Sequence, residues 1–310
     1  MRVLVTGGTG LIGRHAVARL QARGHAVRVL SRRACPNVPL LRSLPVEFVQ
    51  GDVRDPTTLD AACAGCDAVV LSHQFPRFPV ENQRRNETFD AVDRQGTTHC
   101  VQAAQANGVR RLVYVSGSAL SAPNPDHPGI RAKRAAEQAV LSSGISAVSL
   151  RVNVVYAADD PRFARYARWA QRLPFVVVLG DGRNRCAPIA VEDVAEAIAS
   201  AVERPEVTGV LSVCGPQEVS WRQFLQRVGE AAAGAPRCAV HIPRWALWLA
   251  GALGERLPRP LFSRDAVVFI TDFEQACPPP GVEAALGVQV TPLEVGLRRA
   301  FGRGQGAFPA

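Results

Sequence analysis

The start of the chain constrains its fold more than any other segment. A short apolar run, Arg2–Thr6, leads directly into a turn with glycines at positions 7, 10 and 13, and a helical pattern begins near Leu11. The first glycine allows a tight turn, the second lets the backbone approach a pyrophosphate, and the third lets helix and strand pack closely. The helix N-terminus after such a turn attracts anions. The segment predicts a dinucleotide-binding unit, and the alternative is an ordinary turn that is rich in glycine.

The first half of the chain continues this alternation of strand and helix patterns. The strand patterns are Arg2–Thr6, Ala26–Leu30, Val46–Val49, Ala68–Leu71, Arg111–Val115 and Ala147–Leu150. Helices between strands require crossover connections and therefore a parallel sheet covered on both faces. We predict an α/β fold with a doubly wound Rossmann sheet in residues 1–150. It includes one long helix over Thr88–Gly108 and another over Arg131–Ser143.

The pattern becomes irregular after residue 150, where prolines and glycines separate short elements. We expect residues 151–310 to hold the remaining Rossmann elements and a smaller C-terminal lobe. Such a lobe usually provides the contacts to a substrate or a protein partner. The contacts come from irregular segments, so the sequence does not identify the substrate.

Composition narrows the functional classes. The chain has 310 residues, 47% of them hydrophobic, and a net charge of +9. The arginines are dispersed and no nucleic-acid-binding motif is present, so we read the charge as solvated surface plus a pocket for a phosphorylated small molecule. No apolar stretch approaches the roughly 20 residues that span a bilayer, and no signal-peptide pattern follows Met1. We therefore expect a cytoplasmic protein that does not bind nucleic acid.

The eight cysteines mostly lie inside apolar patterns, which predicts reduced core thiols. Cys63 and Cys66 form a single CxxC spacing, for which a redox role is the alternative. A second such pair and clustered histidines are both missing from the sequence, so we expect no metal site. The cysteines are at positions 35, 63, 66, 100, 186, 214, 238 and 277.

Lys133 is the only lysine of the chain, and arginine supplies every other position in a Lys+Arg total of 36. An ammonium is a compact donor with a tunable pKa, whereas a guanidinium is a planar fork that does not deprotonate in proteins. Position 133 therefore suggests a requirement for lysine, although a single surviving lysine can also be chance.

These landmarks together resemble the short-chain dehydrogenase/reductase superfamily, in particular its extended and atypical members. The resemblance begins with Thr6-Gly-Gly-Thr-Gly-Leu-Ile-Gly13 and continues through Gly51-Asp52-Val53, Gly96, Ala103-Ala104 and Gly108–Ser116. It extends to Leu150–Tyr156 and Ile189–Ala195, and thus covers nearly the whole chain. The nearest groups are those of the complex I nucleotide-binding accessory subunit and of NmrA and isoflavone reductase.

The resemblance implies an NAD(P) cofactor and a set of residues that contact it. These are Gly7, Thr9, Gly10, Leu11, Ile12, Gly13, Ser31, Arg32, Arg33, Asp52, Val53, Ser72, His73, Ser116, Lys133 and Val155. The second strand is followed by arginines instead of the acidic residue that hydrogen-bonds an adenosine ribose 2′-hydroxyl. Arg32 is suited to pair with a 2′-phosphate, so we expect NADP(H) to be preferred, with NAD(H) possible. Alternatively, the two arginines merely face water.

The catalytic motif is incomplete. In reductases of this superfamily a tyrosine four residues before the lysine is the general acid, and here that position is Gly129. Ser118 occupies the place of the family's serine, and we assign Ser118 and Lys133 as the candidate catalytic residues. His127 or His73 can replace the tyrosine as proton donor, and a structural role is the commoner use of a lone histidine.

Two functions follow from this incomplete motif. The first is an atypical reductase of a small organic carbonyl or enone, with Lys133 acting beside another donor. The second is a non-catalytic NADP(H)-binding structural or regulatory protein, in which Lys133 holds only the ribose. Asp93, at a position where the family usually has asparagine, is typical of atypical members and bears on this choice.

The segment Trp245–Leu253 contains two tryptophans and is flanked by Arg244 and Arg256. It is suited to lie on a membrane surface or on a partner subunit. A core helix of the small lobe is the favoured alternative, because short apolar helices are usually core. The sequence predicts no oligomeric state.

Overall fold

The structure, a computed structural model, describes residues 1–34, 37–124, 126–255 and 263–302. A parallel sheet of seven strands forms its centre. In chain order the strands are β1 Arg2–Thr6, β2 Ala26–Ser31, β3 Glu47–Gln50, β4 Ala68–Leu71, β5 Arg111–Gly117, β6 Ser146–Val152 and β11 Gly209–Val213. Across the sheet they run β11-β6-β5-β4-β1-β2-β3. The predicted doubly wound sheet is confirmed, and its order reverses between β1 and β4, where such folds bind ligands.

Helices cover both faces of this sheet. On one face α1 Leu11–Ala22 packs against α6 Val191–Glu203. The other face carries α2 Leu59–Cys63, α3 Gly96–Ala106 and α4 Pro128–Leu141. Because side chains alternate along a strand, Val3 and Val5 of β1 belong to the first apolar layer and Leu4 to the second. The sheet is therefore held between two apolar layers, one on each face.

The predicted long helix over Thr88–Gly108 is divided into two elements. A π-helical stretch, Phe89–Gln95, precedes α3, and the Thr88 hydroxyl caps it by accepting a hydrogen bond from the Ala91 N–H at 3.0 Å. Single wide turns of this kind are rare and frequently occur at functional sites. Here the stretch carries Asp93. A pattern typical of an ordinary α-helix does not predict where this side chain lies.

The second half of the chain builds the smaller lobe and contributes β11 to the large sheet. Its helices are α5 Pro161–Arg172, α7 Trp221–Ala233, α8 Arg244–Gly254, α9 Arg264–Thr271, α10 Val282–Leu286 and α11 Leu293–Phe301. Its strands pair in twos: β7 Val155–Tyr156 with β10 Ile189–Ala190, β9 Arg185–Cys186 with β12 Val219–Ser220, and β8 Phe175–Leu179 with β13 Cys238–Ile242. A separate apolar cluster around Tyr156, Phe163 and Phe224 forms its core.

The cysteine prediction is wrong for one pair, because Cys214 and Cys277 form a disulfide bond. Cys214 follows β11 and Cys277 lies in the segment after α9, so two regions 63 residues apart meet at the edge of the sheet. Tertiary structure alone brings their Cα atoms to 6.3 Å. Cys63, Cys66 and Cys100 are buried free thiols, as expected.

The core-helix interpretation of Trp245–Leu253 is also wrong for one face of the helix. Trp245 is 69% exposed and Trp248 49% exposed, whereas Leu247 is buried. Within the described ranges, every helix is too short or too polar to cross a bilayer. Helix α8 is therefore a surface element with an apolar outer face.

Candidate functional site

The glycine turn after β1 forms a close-packed backbone cradle. Gly7 adopts φ +69°, and a Cβ atom there would lie 2.5 Å from the Ser72 carbonyl oxygen. A Cβ atom at Gly13 would lie 2.2 Å from the Gly7 oxygen, so only glycine permits this contact between helix and strand. The Gly10 N–H donates to the Gly7 oxygen at 2.8 Å. The backbone therefore requires glycine for packing at positions 7 and 13.

The N-terminus of α1 is open to an anion. Gly10 is the N-cap, no side chain caps the helix, and its first turn has no acidic residue. The first N–H groups of a helix have no intrahelical partners, and the helix dipole is positive at this end. Leu11 and Ile12 supply two of these N–H groups. The geometry fits a pyrophosphate without any side-chain charge.

A cavity of about 730 Å³ extends from this turn past the end of β2. Thr9 and Ser31 line it together with Arg32 and Arg33, four of the residues predicted to contact the cofactor. Arg77, Arg85 and Glu87 complete its charged lining. Arg32 contacts the Glu87 carboxylate at 3.5 Å and remains about half exposed, so its guanidinium is free to bind a second anion. The cavity has more cationic than anionic side chains.

Asp52 and Val53, an acidic and an apolar residue after β3, differ in their environment. Burial alone would raise the pKa of Asp52, but the Arg54 guanidinium outweighs this effect and lowers it. Arg54 donates to Asp52 Oδ1 through Nε at 3.0 Å. Val53 packs against Gly96, where a Cβ atom would lie 2.7 Å from its methyl group. Asp52 is thus a carboxylate held in place by Arg54.

Ser72 and His73 follow β4 and are held by β1. The Ser72 hydroxyl donates to the Thr6 oxygen at 2.8 Å. The His73 ring lies between two threonines, with Nδ1 2.8 Å from Thr6 Oγ1 and Nε2 3.2 Å from Thr97 Oγ1. Burial, aided by the Lys133 charge, lowers the pKa of His73 to about 4. A neutral ring engaged at both nitrogens is unsuited to donate a proton at neutral pH.

Lys133 forms a buried ion pair with Asp93. The ammonium lies 2.8 Å from Asp93 Oδ1, and the side chains are 17% and 0% exposed. Burial alone would lower the pKa of Lys133, but the Asp93 carboxylate outweighs this effect and raises it. Asp93 Oδ2 has no hydrogen-bond partner among the described residues. Lys133 is therefore a positively charged group, and a poor proton donor.

A second ion pair anchors the same helix one turn later. Glu137 on α4 accepts from Arg151 Nε of β6 at 3.1 Å and from the Ser149 hydroxyl at 2.6 Å. Burial would raise the pKa of Glu137, yet the Arg151 guanidinium lowers it. These contacts fix the height of α4 over the sheet. Lys133 is consequently presented from a rigid helix.

The position of the missing tyrosine is sterically closed. A Cβ atom on Gly129 would lie 2.7 Å from Phe89 Cε1 and 3.1 Å from His127 Nδ1. Phe89 cannot easily move away, because it belongs to an aromatic cluster. We use this name for Phe75, Phe78, Phe89, His127, Phe269 and Phe273, whose rings lie 4.9–6.0 Å apart in successive contacts.

His127 serves as a structural residue in that cluster. Its Nδ1 accepts a hydrogen bond from the Gly129 N–H at 3.0 Å and caps α4, and only 3% of its surface is exposed. Burial lowers the pKa of His127. Capping the N-terminus of α4 is a structural role, and it accounts for a histidine at this position without any role in catalysis.

Ser118 lies at the carboxyl end of β5 and donates its hydroxyl proton to a carbonyl oxygen. The acceptor is Oε1 of Gln275, on the segment that the disulfide at Cys277 ties to β11. Ser118 is fully buried beneath this segment. The Ser116 hydroxyl, two residues earlier, is buried without a hydrogen-bond partner among the described residues. Val155 is buried in β7 and offers only an apolar surface.

Three residues of this site were missed by sequence reasoning or not given their role. Asp93 was noted as unusual, but its pairing with Lys133 depends on the π-helical turn. Phe89 and Gln275 carry no motif, and Gln275 is 157 residues away from Ser118. Gly129 in place of the tyrosine before Lys133, and Asp93 in place of the family's asparagine, were the available signals that this end of the site departs from the family pattern.

The chain is similar to known proteins over most of its length. Residues 3–214 match the NAD dependent epimerase/dehydratase family. The chain is 32% identical over 254 residues to the ceramide reductase of Caulobacter vibrioides, covering 81% of this chain and 76% of the relative. It is 27% identical to the 2-alkyl-3-oxoalkanoate reductase of Stenotrophomonas maltophilia, with 90% of each covered.

A solved structure is similar over nearly the whole chain. The UDP-glucose 4-epimerase of Thermus thermophilus in complex with NAD superposes with a TM-score of 0.72 at 26% identity, covering 96% of this chain and 97% of that one. The fold and its relatives are those of NAD(P)-dependent reductases and epimerases of the extended short-chain dehydrogenase/reductase type. The chain belongs to the NAD dependent epimerase/dehydratase family.

Proposed function

We propose that the protein is an NADP(H)-dependent reductase of an organic carbonyl or enone. The observation that carries the proposal is the Ser118 hydroxyl, which already donates to a carbonyl oxygen at the carboxyl edge of the sheet. Gln275 supplies that oxygen, and a substrate carbonyl would take its place. The glycine cradle and Lys133 stand at the same edge of the sheet.

The residues present fit an NADP(H) molecule. The α1 N-terminus would bind the pyrophosphate, and Arg32 and Arg33 would meet a 2′-phosphate, because β2 ends without a carboxylate. Lys133 would donate to the nicotinamide ribose hydroxyls from its fixed position on α4. When bound, the cofactor supplies the hydride.

The chain's own contribution to the chemistry is positioning and a proton path. Ser118 would orient the substrate oxygen and pass to it a proton drawn from water, because Lys133, His73 and His127 are unsuited to give one. The positive charge of Lys133 favours the negative charge that develops on that oxygen. This arrangement predicts slow turnover compared with a tyrosine-containing reductase.

The names of two relatives support a proposal about the substrate class. Ceramide and a 2-alkyl-3-oxoalkanoate are both molecules with long alkyl parts, and both relatives are named as reductases. We propose a carbonyl on a lipophilic molecule as the substrate of this chain.

Two measurements test the function. Titration with NADPH and with NADH should give tighter binding of NADPH, and equal or tighter binding of NADH would reject the cofactor preference. Loss of NADPH absorbance against a panel of alkyl ketones and enones should then detect turnover. Ser118→Ala should lower kcat by about a hundredfold and leave NADPH binding unchanged, while a full panel without turnover would reject the reductase.

A specific observation favours a second candidate, a non-catalytic NADP(H)-binding protein. Gly129 has no room for the tyrosine, Asp93 holds Lys133, and Gln275 already fills the hydrogen bond of Ser118. For this candidate NADPH should bind and raise the thermal midpoint while remaining unoxidised with every substrate. Turnover abolished by Ser118→Ala would reject it.

A further inference from the structure

Helix α8 is apolar on both faces, although only one of them is covered in the described chain. On the inner face Leu247, Gly251 and Gly254 are buried. A Cβ atom on Gly251 would lie 3.0 Å from the Arg264 backbone nitrogen, which shows how closely α8 packs on α9. A helix that is hydrophobic all round is normally buried all round. The outer face therefore requires an occupant.

The outer face is a continuous stripe of large side chains. We call it the outer stripe of α8; it consists of Trp245, Trp248, Leu249 and Leu253. Their exposed fractions are 69%, 49%, 51% and 54%. The spacing i, i+3, i+4 and i+8 places all four on one side of a helix. Contiguous exposed apolar surface of this kind marks protein or membrane contacts.

Arginines lie around the outer stripe. The Arg264 guanidinium lies 5.3 Å from the centre of the Trp248 ring and pairs with Glu255, and Arg244 begins the helix and pairs with Asp272. Next to that first turn is a cavity of about 870 Å³ whose lining has three arginines, Arg183, Arg222 and Arg244, and two aspartates, Asp181 and Asp272. Arg183 is 89% exposed, and its carboxylate contact is a distant 3.9 Å. Helix α8 itself contains no acidic residue.

We propose that the outer stripe of α8 docks on the surface of an anionic lipid bilayer. Tryptophan and leucine suit the boundary between headgroups and acyl chains, and arginines at the rim complement lipid phosphates. Eleven residues give a helix of about 16 Å, which lies in that boundary and does not span the roughly 30 Å hydrocarbon core. The stripe offers no polar group except the indole N–H groups, whereas protein interfaces carry regular hydrogen bonds.

The docking face is connected to the candidate site through α9. Helix α9 packs on α8 and contributes Phe269 to the aromatic cluster, where its ring lies 4.9 Å from that of Phe78. The cluster includes Phe89, which begins the π-helical stretch that carries Asp93. Docking would thus place a lipophilic carbonyl compound, dissolved in the bilayer, near the site that we propose reduces it.

The docking proposal is tested without any turnover. Flotation with phosphatidylcholine vesicles, with and without phosphatidylglycerol, should show binding that is strongest with the anionic lipid. Trp245→Ser and Trp248→Ser should each weaken binding about tenfold. Trp169→Ser is the matched control, because this tryptophan is 44% exposed on α5 and lies outside the stripe. An unchanged urea midpoint in each variant shows that the fold is intact.

The charge at the rim gives an independent arm of the test. Arg183→Ala and Arg222→Ala should each weaken binding roughly fivefold with anionic vesicles, and much less with neutral ones. Vesicle binding that survives both stripe substitutions overturns the proposal. Absence of vesicle binding also overturns it, and a dimer, seen by sedimentation velocity, that the stripe substitutions dissociate would then identify a second copy of the chain as the occupant. Because binding needs no substrate, failure of docking is distinguishable from failure of the reductase.

Discussion

The phosphate end and the catalytic end of the candidate site differ in how they follow the family pattern. At the phosphate end, Gly7 and Gly13 are required by contacts of 2.5 Å or less that any side chain would create. At the catalytic end, Gly129 stands in place of a tyrosine and the lysine is bound by Asp93. The first end is built from backbone and tolerates little change. The second depends on side chains, which can be replaced while the cofactor contact is kept.

The largest effect should follow from adding one carbon at the phosphate end. Gly13→Ala places a Cβ atom 2.2 Å from the Gly7 oxygen, so the turn or α1 must shift. We expect a loss of more than about 3 kcal/mol in unfolding free energy and no measurable NADPH binding. Urea unfolding and calorimetric titration would measure both. Gly281→Ala, whose Cβ has no neighbour closer than 3.8 Å, should change neither.

Breaking the ion pair at the catalytic end should have the next largest effect. Asp93→Asn leaves the Lys133 ammonium buried without its carboxylate, at a cost of about 3 kcal/mol in stability at neutral pH. The native pair raises the lysine pKa, so its contribution is complete from neutral pH up to about pH 10 and decreases as pH rises through the folded value. Burial raises the pKa of Asp93, so the pair is also lost when Asp93 is protonated at acid pH. Urea midpoints of both proteins should therefore converge at both acid and strongly alkaline pH. Equal midpoints at neutral pH would show that the pair is not stabilising.

A tyrosine at position 129 should fail to restore the family motif. Its Cβ atom would meet Phe89 at 2.7 Å, so Gly129→Tyr should destabilise the protein by about 2 kcal/mol. Turnover should not increase. The double variant Gly129→Tyr with Phe89→Ala removes the steric conflict with the Phe89 ring. The coupling energy from the double-mutant cycle would then measure the cost of that conflict. A stable single variant with faster NADPH oxidation would contradict the steric account.

The smallest effect concerns cofactor choice at the phosphate end. Arg32→Ala should weaken NADPH binding about tenfold and leave NADH binding almost unchanged, because only the former has a 2′-phosphate. NADH is therefore the internal control in the same titration. An equal loss for both nucleotides would indicate that Arg32 stabilises the cavity through Glu87 instead of reading the phosphate.

The sequence predicted the phosphate end and little of the catalytic end, for a physical reason. The glycine turn and the strands that carry Asp52, Ser72 and Ser116 depend on short-range patterns, and the sheet brings their ends together. Asp93 reaches Lys133 only through a π-helical turn, which local propensity does not reveal. Gln275 reaches Ser118 only because a distant disulfide-tied segment crosses the edge of the sheet. Sequence motifs constrain residues that are close along the chain. The Lys133–Asp93 and Ser118–Gln275 contacts join distant segments, so no motif predicts them.

The single ion-paired lysine also gives this protein a built-in spectroscopic label. Reductive methylation with ¹³C-formaldehyde would tag just one lysine side chain besides the N-terminal amine, since arginine supplies every other position of the Lys+Arg total. Its chemical shift would report the Lys133–Asp93 pair without crowding from other lysine resonances. Addition of NADPH should shift that signal, and an alkaline titration should leave it unchanged until well above pH 10. One NMR resonance can thus follow the occupancy of the site in the intact chain.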